Sequence, residues 1–350
     1  MIDIDGSMME GGGQLLRMAT SYSAILGEPI RVYNIRSNRR DPGLKPQHLT
    51  TLMAAAEISS AELRGASIGS SEITFKPSRI RGGDYSLDIG TAGSITLLLQ
   101  CLNPILLFGD RPSRISIRGG TSVNWSPPIP FLENVVYRAL GIMGASSKIN
   151  VERYGFYPRG GGVVHQYTKQ VTVLHPLNLG VPDIKKINGV SLCGALPEHV
   201  ALRQTESAKK RLNELRYKSS ISSIVADPAP YSPGSFVCLW TEGDNIYLGT
   251  DSLGARGKPA EKVGEEAAAK MIDEVRSGAH MDEHTADHMI LPASLAAGES
   301  CFRASLITLH TLTAIEVAKL FTDAKFTVDG REGEPGTIRV EGIGLENRSL

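Results

Sequence analysis

The chain is poor in cysteine, and its four cysteines lie far apart. Cys101, Cys193, Cys238 and Cys301 form no CxxC pair. This spacing argues against a disulfide framework or a structural zinc site and fits a reducing compartment. There is no excess of either charge, with 37 Lys+Arg against 37 Asp+Glu. No global field therefore draws in nucleic acid, and any anion site has to come from local clusters. Long apolar runs are also missing. The most apolar stretch, 95–108, is interrupted by Gln100, Asn103 and Pro104, so no span of ~20 residues suits a bilayer and no membrane partner is expected. The first residues, Met1-Ile-Asp-Ile-Asp-Gly6, lack a basic start followed by an apolar segment. A secretory signal is not expected there, and the expected location is cytoplasmic.

What is present is an ordinary globular balance, 41% hydrophobic and 21% charged over 350 residues, enough chain for one large domain or a few smaller ones. The 37 glycines exceed the usual ~7% and suggest tight turns or close backbone approaches to a ligand.

Periodicity predicts an α+β fold built from an internal repeat of the order β-α-β-α-β-β. In the first unit, a strand at 2–5 leads through Gly11-Gly-Gly13 into a helix over 14–26. A strand at 29–35, a helix at 47–59 and short strands at 61–66 and 72–76 follow. The second unit has a strand at 85–89, the loop Gly90-Thr-Ala-Gly-Ser94, a helix to about 107, a strand at 114–118, a helix at 130–143, and strands at 148–153 and 163–168. The third has a helix at 286–297, a strand at 302–309, a helix at 311–321, and strands at 325–329 and 337–342. Its opening is displaced by a stretch with helical patterns at 198–215 and 259–275 and strand patterns at 236–240 and 245–249. The expected organisation is a three-repeat domain over 1–180 and 278–350, with a smaller α+β domain inserted at 181–277. Helix N-termini following glycine loops attract anions, which suggests a phosphorylated ligand.

Several segments could carry chemistry. Glu10-Gly-Gly-Gly-Gln14-Leu-Leu-Arg17 is either a tight turn before a helix or a phosphate loop; no Gly-Lys-Ser/Thr follows, so it is not a Walker sequence. Arg36, Arg39 and Arg40 lie between a strand and a helix, forming either a solvated basic loop or a fork for phosphate oxygens. Gln47 and His48 at the next helix start are either polar site groups or surface residues. In the loop around Pro127, Trp125 and Phe131 are either core or a stacking surface for a base. His280, His284 and His288 have a spacing that could offer two imidazoles to a metal, but there is no HExxH order, and Gly278 and Met281 favour a later helix start. His310 sits at a strand-to-helix junction. A lone histidine there is commonly structural; if functional, the helix N-terminus keeps it neutral and so nucleophilic towards phosphorus.

Taken in order, these motifs make the chain resemble the RNA 3′-terminal phosphate cyclases. The resemblance rests on Asp5-Gly6, Glu10 to Arg17, Ile35-Arg36 with Arg39, Pro42-Gly-Leu44 and Gln47-His48-Leu-Thr50. It continues through Gly90 to Ser94 with Gln100, Tyr157-Pro-Arg-Gly-Gly-Gly162, Glu283-His-Thr-Ala-Asp287 and His310-Thr-Leu-Thr313. It implies three repeats like the C-terminal domain of bacterial translation initiation factor three. It also implies an ATP-dependent reaction on RNA 3′-phosphate ends. His310 would become bonded to AMP with release of pyrophosphate, AMP would pass to the terminal phosphate, and the 2′-OH would close a 2′,3′-cyclic phosphate. By the same resemblance, Arg36 and Arg39 bind phosphates with help from Arg17, and Glu10 partners a divalent metal, Mg2+ or Mn2+. Gln47, Gln100, Pro127, Phe131, His284 and Asp287 line the nucleotide pocket, with Asp287 facing the adenine amino group. A homodimer is expected. Three departures stand out: His284 in place of a tyrosine, Ala314 in place of an asparagine, and Tyr154 in place of a basic residue. The competing readings are a non-enzymatic relative acting in ribosome assembly, an enolpyruvyl transferase of similar repeat architecture, and a metal-dependent hydrolase using His280, His284 and His288.

Overall fold

The alternation Ile2-Asp-Ile-Asp5 forms strand β1 (Ile2–Asp5), with Ile4 turned into the core. In the computed structural model, which describes residues 1–350, the first unit continues with α1 (Gly13–Leu26), β2 (Ile30–Tyr33), α2 (Pro46–Ile58), β3 (Glu62–Arg64) and β4 (Ile73–Lys76). α1 ends at Gly27, whose φ of 74° is the left-handed cap that glycine adopts without penalty. The sheet order is β1-β2-β4-β3. β1 and β2 are parallel, with Ile2 opposite Ile30, and β4 returns antiparallel.

The second unit repeats this arrangement with β5 (Asp84–Asp88), α3 (Ile95–Leu107) and β6 (Ser113–Gly119). Ser94 caps α3 by accepting the Leu97 N–H. The single helix expected over 130–143 is instead α4 (Ile129–Phe131), a π-helical turn over Leu132–Val136, and α5 (Tyr137–Ile142). There the Asn134 side-chain amide takes the Pro130 carbonyl and competes with the α-helical ladder. β7 (Ser146–Arg153) and β8 (Gly162–Lys169) complete the sheet β5-β6-β8-β7, so its order matches that of the first.

Between units two and three lie β9 (Asp183–Gly194), α6 (His199–Leu212), β10 (Lys218–Val225), β11 (Gly234–Asp244), β12 (Gly249–Leu253) and α7 (Ala260–Arg276). They form a four-stranded sheet, β10-β9-β11-β12, with its own hydrophobic cluster of 13 residues that includes Ile187, Leu239 and Met271. The pattern at 245–249 is not a strand: Asn245 has a φ of 54° in a turn, and β12 begins at Gly249. β9 escapes a pattern reading because its second half is buried throughout, and β10 because it is serine-rich and almost wholly exposed.

The third unit has α8 (Glu283–Leu295), β13 (Glu299–Ala304), α9 (Leu309–Phe321), β14 (Lys325–Asp329) and β15 (Gly336–Glu341). Its sheet, β13-β15-β14, lacks a first strand. Met281 stands in that position as a single bridge, parallel to Ala304 on one side and Tyr247 on the other. Two boundaries differ from expectation. α8 starts at Glu283 because Asp282 caps it, and β13 stops at Ala304 because Thr308 caps α9.

The helices of the three units meet in one core of 68 buried residues, with the sheets outside. Tyr22 of α1 shows how they are joined. Its ring is fully buried, stacks on Phe321 of α9 at 5.2 Å, and hydrogen-bonds Ser294 of α8 at 2.7 Å. That junction ties the C-terminal ends of α1, α8 and α9 together; at the opposite end of α1, Gln14 meets the start of α9 at His310. No helix is long and apolar enough to cross a membrane.

Candidate active site

His310 is the second residue of α9, where the first helical amides have no partner within the helix. Thr308 caps the helix, accepting the Thr311 N–H at 3.0 Å. Gln14, buried at the start of α1, grips His310 at two points. His310 Nδ1 lies 2.7 Å from Gln14 Oε1, and Gln14 Nε2 donates to the His310 carbonyl at 3.3 Å. The second bond fixes the amide orientation, since a flipped amide would set oxygen against oxygen. Nδ1 is therefore the donor, and the lone pair rests on Nε2. The ring is open to the cleft. The protein mass around it, then the positive fields of His284, Arg17 and Arg39, hold its pKa below the ordinary histidine value.

Asp287 locks the same helix end from α8. Its Oδ1 accepts the hydroxyls of Thr308 at 3.3 Å and Thr311 at 2.5 Å. Its Oδ2 accepts no hydrogen bond from the protein. Burial raises the Asp287 pKa to about 7, opposed by the Thr311 hydroxyl. Asp287 and Gln100 line one apolar pocket together with Met18, Leu99 and Leu291.

Arg17 is 8% exposed and has no carboxylate partner. Its Nε donates to Gln100 Oε1 at 2.9 Å. Burial lowers its pKa to about 10. A buried guanidinium without a counter-ion costs several kcal/mol of desolvation, a cost that an incoming anion offsets. His48 lies beside it. Burial first, then Arg17, Arg36 and Lys45, press its pKa down to about 3, so it stays neutral. His48 Nδ1 accepts the Lys45 N–H, which ties the ring to the start of α2. Gly13 is required here, since a Cβ would lie 2.6 Å from His48 Nε2 and 3.0 Å from an Arg17 terminal nitrogen. The glycine loop is thus the near-contact surface between α1 and α2.

Arg39 is ion-paired with Glu10, whose backbone N–H donates to Thr313 of α9 at 3.3 Å. Glu10 Oε2 is buried with no hydrogen-bond partner. Arg36, expected to reach phosphate, turns into its own loop: one terminal nitrogen donates to the carbonyls of Asp41 and Gly43 at 2.9 and 2.8 Å. Gln47 spans to the second unit, its Oε1 accepting the Ser94 N–H at 3.1 Å. The Pro127 carbonyl accepts the Thr96 hydroxyl at 2.8 Å. Phe131 is fully buried and meets exposed His284 edge-on at 6.5 Å, so it underlies the cleft and offers no open face.

Of the residues singled out in the sequence, those from the glycine loop, α2, α3, α8 and α9 come together around His310. His280 does not. It precedes α8, and its ring nitrogens contact the Gly180 carbonyl at 2.7 Å and the Arg303 N–H at 2.8 Å. No group of three or more His, Cys, Asp or Glu side chains gathers in metal-binding geometry. Glu10 Oε2 alone fits one protein ligand of an ion otherwise held by phosphate oxygens. Pattern reasoning missed the Gln14–His310 pairing. The only available signal was a polar residue on the buried start of α1.

A family model described as RNA 3′-terminal phosphate cyclase matches residues 8–328. The chain is 46% identical over 356 residues to the RNA 3′-terminal phosphate cyclase of Desulfurococcus amylolyticus, covering 99% of each chain. It is 47% identical over 335 residues to that of Methanosarcina barkeri, covering 95% of this chain and 98% of the relative. The corresponding Pyrococcus furiosus protein is 41% identical, with 97% and 98% covered. Among solved structures, an EPSP synthase from Acinetobacter baumannii aligns with 93% of this chain and 62% of its own, at a TM-score of 0.27 and 12% identity.

Proposed function

The chain belongs to the RNA 3′-terminal phosphate cyclase family and is an enzyme of that class, and on that premise we propose that it closes RNA ends through a histidine–AMP intermediate on His310. The observation that carries this reading is the state of one ring. Nδ1 is engaged by Gln14, Nε2 is left with its lone pair, and an unpaired buried guanidinium lies close by.

In the first step, the Nε2 lone pair attacks the α-phosphorus of ATP. The bond to the bridging oxygen breaks and pyrophosphate leaves with the electron pair. The ring becomes cationic as the N–P bond forms, and the Nδ1–H to Gln14 bond strengthens with that charge. Arg17 and the free helix-end amides of α9 neutralise the phosphate oxygens. In the second step, an oxygen of the RNA 3′-phosphate attacks the same phosphorus and the imidazole leaves, giving a mixed anhydride with AMP. In the third, the ribose 2′-OH attacks the RNA phosphorus and AMP leaves; the hydroxyl proton goes to solvent, and the cyclic phosphate remains.

Gln100, Asp287 and His284 form the nucleotide side of the cleft, with Asp287 Oδ2 available to the adenine amino group. Arg39 swings from Glu10 to a phosphate, whereas Arg36 acts mainly by shaping its loop. Glu10 Oε2 is the protein ligand for a divalent cation, which when bound offsets charge on the pyrophosphate. Residues 181–277 behave as an inserted domain whose α7–α8 junction abuts the cleft.

The test is incubation with α-labelled ATP and Mg2+. Covalent, acid-labile and alkali-stable label is expected, lost in His310→Ala and kept in His280→Ala. Label persisting in His310→Ala would falsify the assignment.

A further inference from the structure

Two loops at the cleft rim hold side chains that the chemistry above does not use. Trp125 is 96% exposed, the most exposed large apolar side chain in the protein, and Tyr157 is 76% exposed. Isolated exposed apolar residues are common, but two large aromatics on adjoining loops need a reason. Trp125 also sits at φ 68°, a left-handed conformation that disfavours a bulky side chain. Its loop is well braced. The Ile129 N–H returns to the Thr121 carbonyl, and the Ser126 hydroxyl donates to the Val123 carbonyl. The loop is held in place, yet its largest side chain packs on nothing.

Both loops are rooted at the site. The Thr121 N–H donates to the Gly155 carbonyl at 2.9 Å, and the Gly155 N–H to the Thr121 hydroxyl at 3.0 Å, so the 121–129 and 155–162 segments leave from one point. Gly160, at φ 61°, lies so close to the 90–94 loop that a Cβ would meet Ala92 Cα at 2.7 Å. That loop bonds Gly120 and, through Ser94, Gln47, the neighbour of His48. At its other end the Trp125 loop runs into Phe131, against His284. The two aromatic-bearing loops are therefore rooted at the rim of the cleft that contains His310.

The surroundings are basic. Arg159 is exposed beside Tyr157. Arg118 and Arg153 flank the ring of Tyr231, at 6.0 and 4.9 Å from its centroid. None of these three arginines is in an ion pair, and the carboxylate facing them in the sheet is Asp88, opposite Arg118. Aromatic faces interleaved with unpaired guanidiniums match an unpaired polynucleotide, whose bases stack while its phosphates follow the cations.

We propose that Trp125 and Tyr157 are stacking platforms for the unpaired nucleotides just 5′ of the RNA terminal phosphate. This rests on the cyclase reading and extends it. The enzyme then holds several nucleotides of a single-stranded end, independently of sequence, and a duplex end has to fray to be used.

The test compares a ten-nucleotide unstructured RNA 3′-phosphate with a dinucleotide 3′-phosphate. In Trp125→Ala and Tyr157→Ala, adenylylation by ATP alone stays at the wild-type rate. KM for the long RNA rises about tenfold per platform, KM for the dinucleotide stays within twofold, and Trp125→Phe and Tyr157→Phe restore most of the loss. Titrating wild type with the long RNA quenches tryptophan fluorescence. Trp125→Phe removes that quench, since the remaining tryptophan is the half-buried Trp240. Unchanged KM for the long RNA, equal loss on both substrates, or no quench at RNA concentrations that saturate turnover overturns the proposal and points to a protein partner for these rings. Loss of ATP labelling in wild type, with the quench intact, instead overturns the cyclase mechanism.

Discussion

Replacing Gln14 with leucine isolates what the two-point grip on His310 contributes. Leucine keeps the volume but removes the 2.7 Å bond to Nδ1 and the 3.3 Å bond to the His310 carbonyl. A neutral hydrogen bond contributes ~1 kcal/mol. The one to Nδ1 gains strength, to ~2 kcal/mol, as the ring turns cationic during attack. Losing both in the transition state amounts to ~2–3 kcal/mol, a fall of about 30- to 150-fold in the rate of histidine adenylylation. ATP affinity should hardly change, because both polar atoms of the Gln14 amide are already engaged by His310. The assay is single-turnover labelling at saturating ATP, with ATP binding measured separately. Nitrogen-15 spectra of His310 in the unreacted protein should show Nδ1 protonated in wild type and a mixed tautomer in the variant. Gln14→Glu keeps an acceptor at Nδ1 and stabilises the cationic ring, so labelling should recover in part and its acid limb should move to higher pH. A Gln14→Leu labelling rate within threefold of wild type, with the tautomer unchanged, would refute the reasoning.

Arg17→Met should separate stability from function. Removing an unpaired buried cation should raise thermal stability or leave it unchanged, while ATP labelling falls at least a hundredfold; a clear loss of stability would count against the desolvation argument. Asp287→Asn keeps an acceptor for Thr308 and Thr311 but sets an amide donor where the adenine amino group would donate. KM for ATP should rise about tenfold or more, with a smaller change for GTP. In wild type, ATP binding should tighten as pH rises through about 7, where Asp287 loses its proton; a flat pH profile contradicts this. The acid limb of labelling should have its midpoint below the ordinary histidine value of 6.5, since His310 is held neutral there. Acid stability has the same sign. His48 has its pKa lowered to about 3, so unfolding takes up a proton below about 6.5 and stability falls as pH drops through that window. His48→Gln should flatten that part of the pH–stability curve.

Most of the first two units was legible as pattern, because amphipathic helices and half-buried strands repeat at 3.6 and 2 residues. β9 and β10 were not, since the second half of one is buried on both faces and the other is mostly exposed and serine-rich. The missing first strand of the third unit was visible only as an interruption, and Met281 fills it with a single bridge. The basic loop of Arg36, Arg39 and Arg40 looked uniform as composition. In space it divides into a loop brace, an ion-pair partner of Glu10 and an exposed side chain.

Local order along the chain was enough to define the repeat, the glycine loops and a histidine at a helix start. Those depend on neighbours a few residues apart, which backbone periodicity and capping chemistry encode directly. Which nitrogen of His310 holds the proton depended on Gln14 meeting a residue 296 positions away, and the burial of Arg17 without a counter-ion on a fold that sets Gln100, 83 positions away, against it. Only the packing of α1 against α3, α8 and α9 creates those contacts, and the low-dielectric junction it forms is what changes the charge state of the side chains within it.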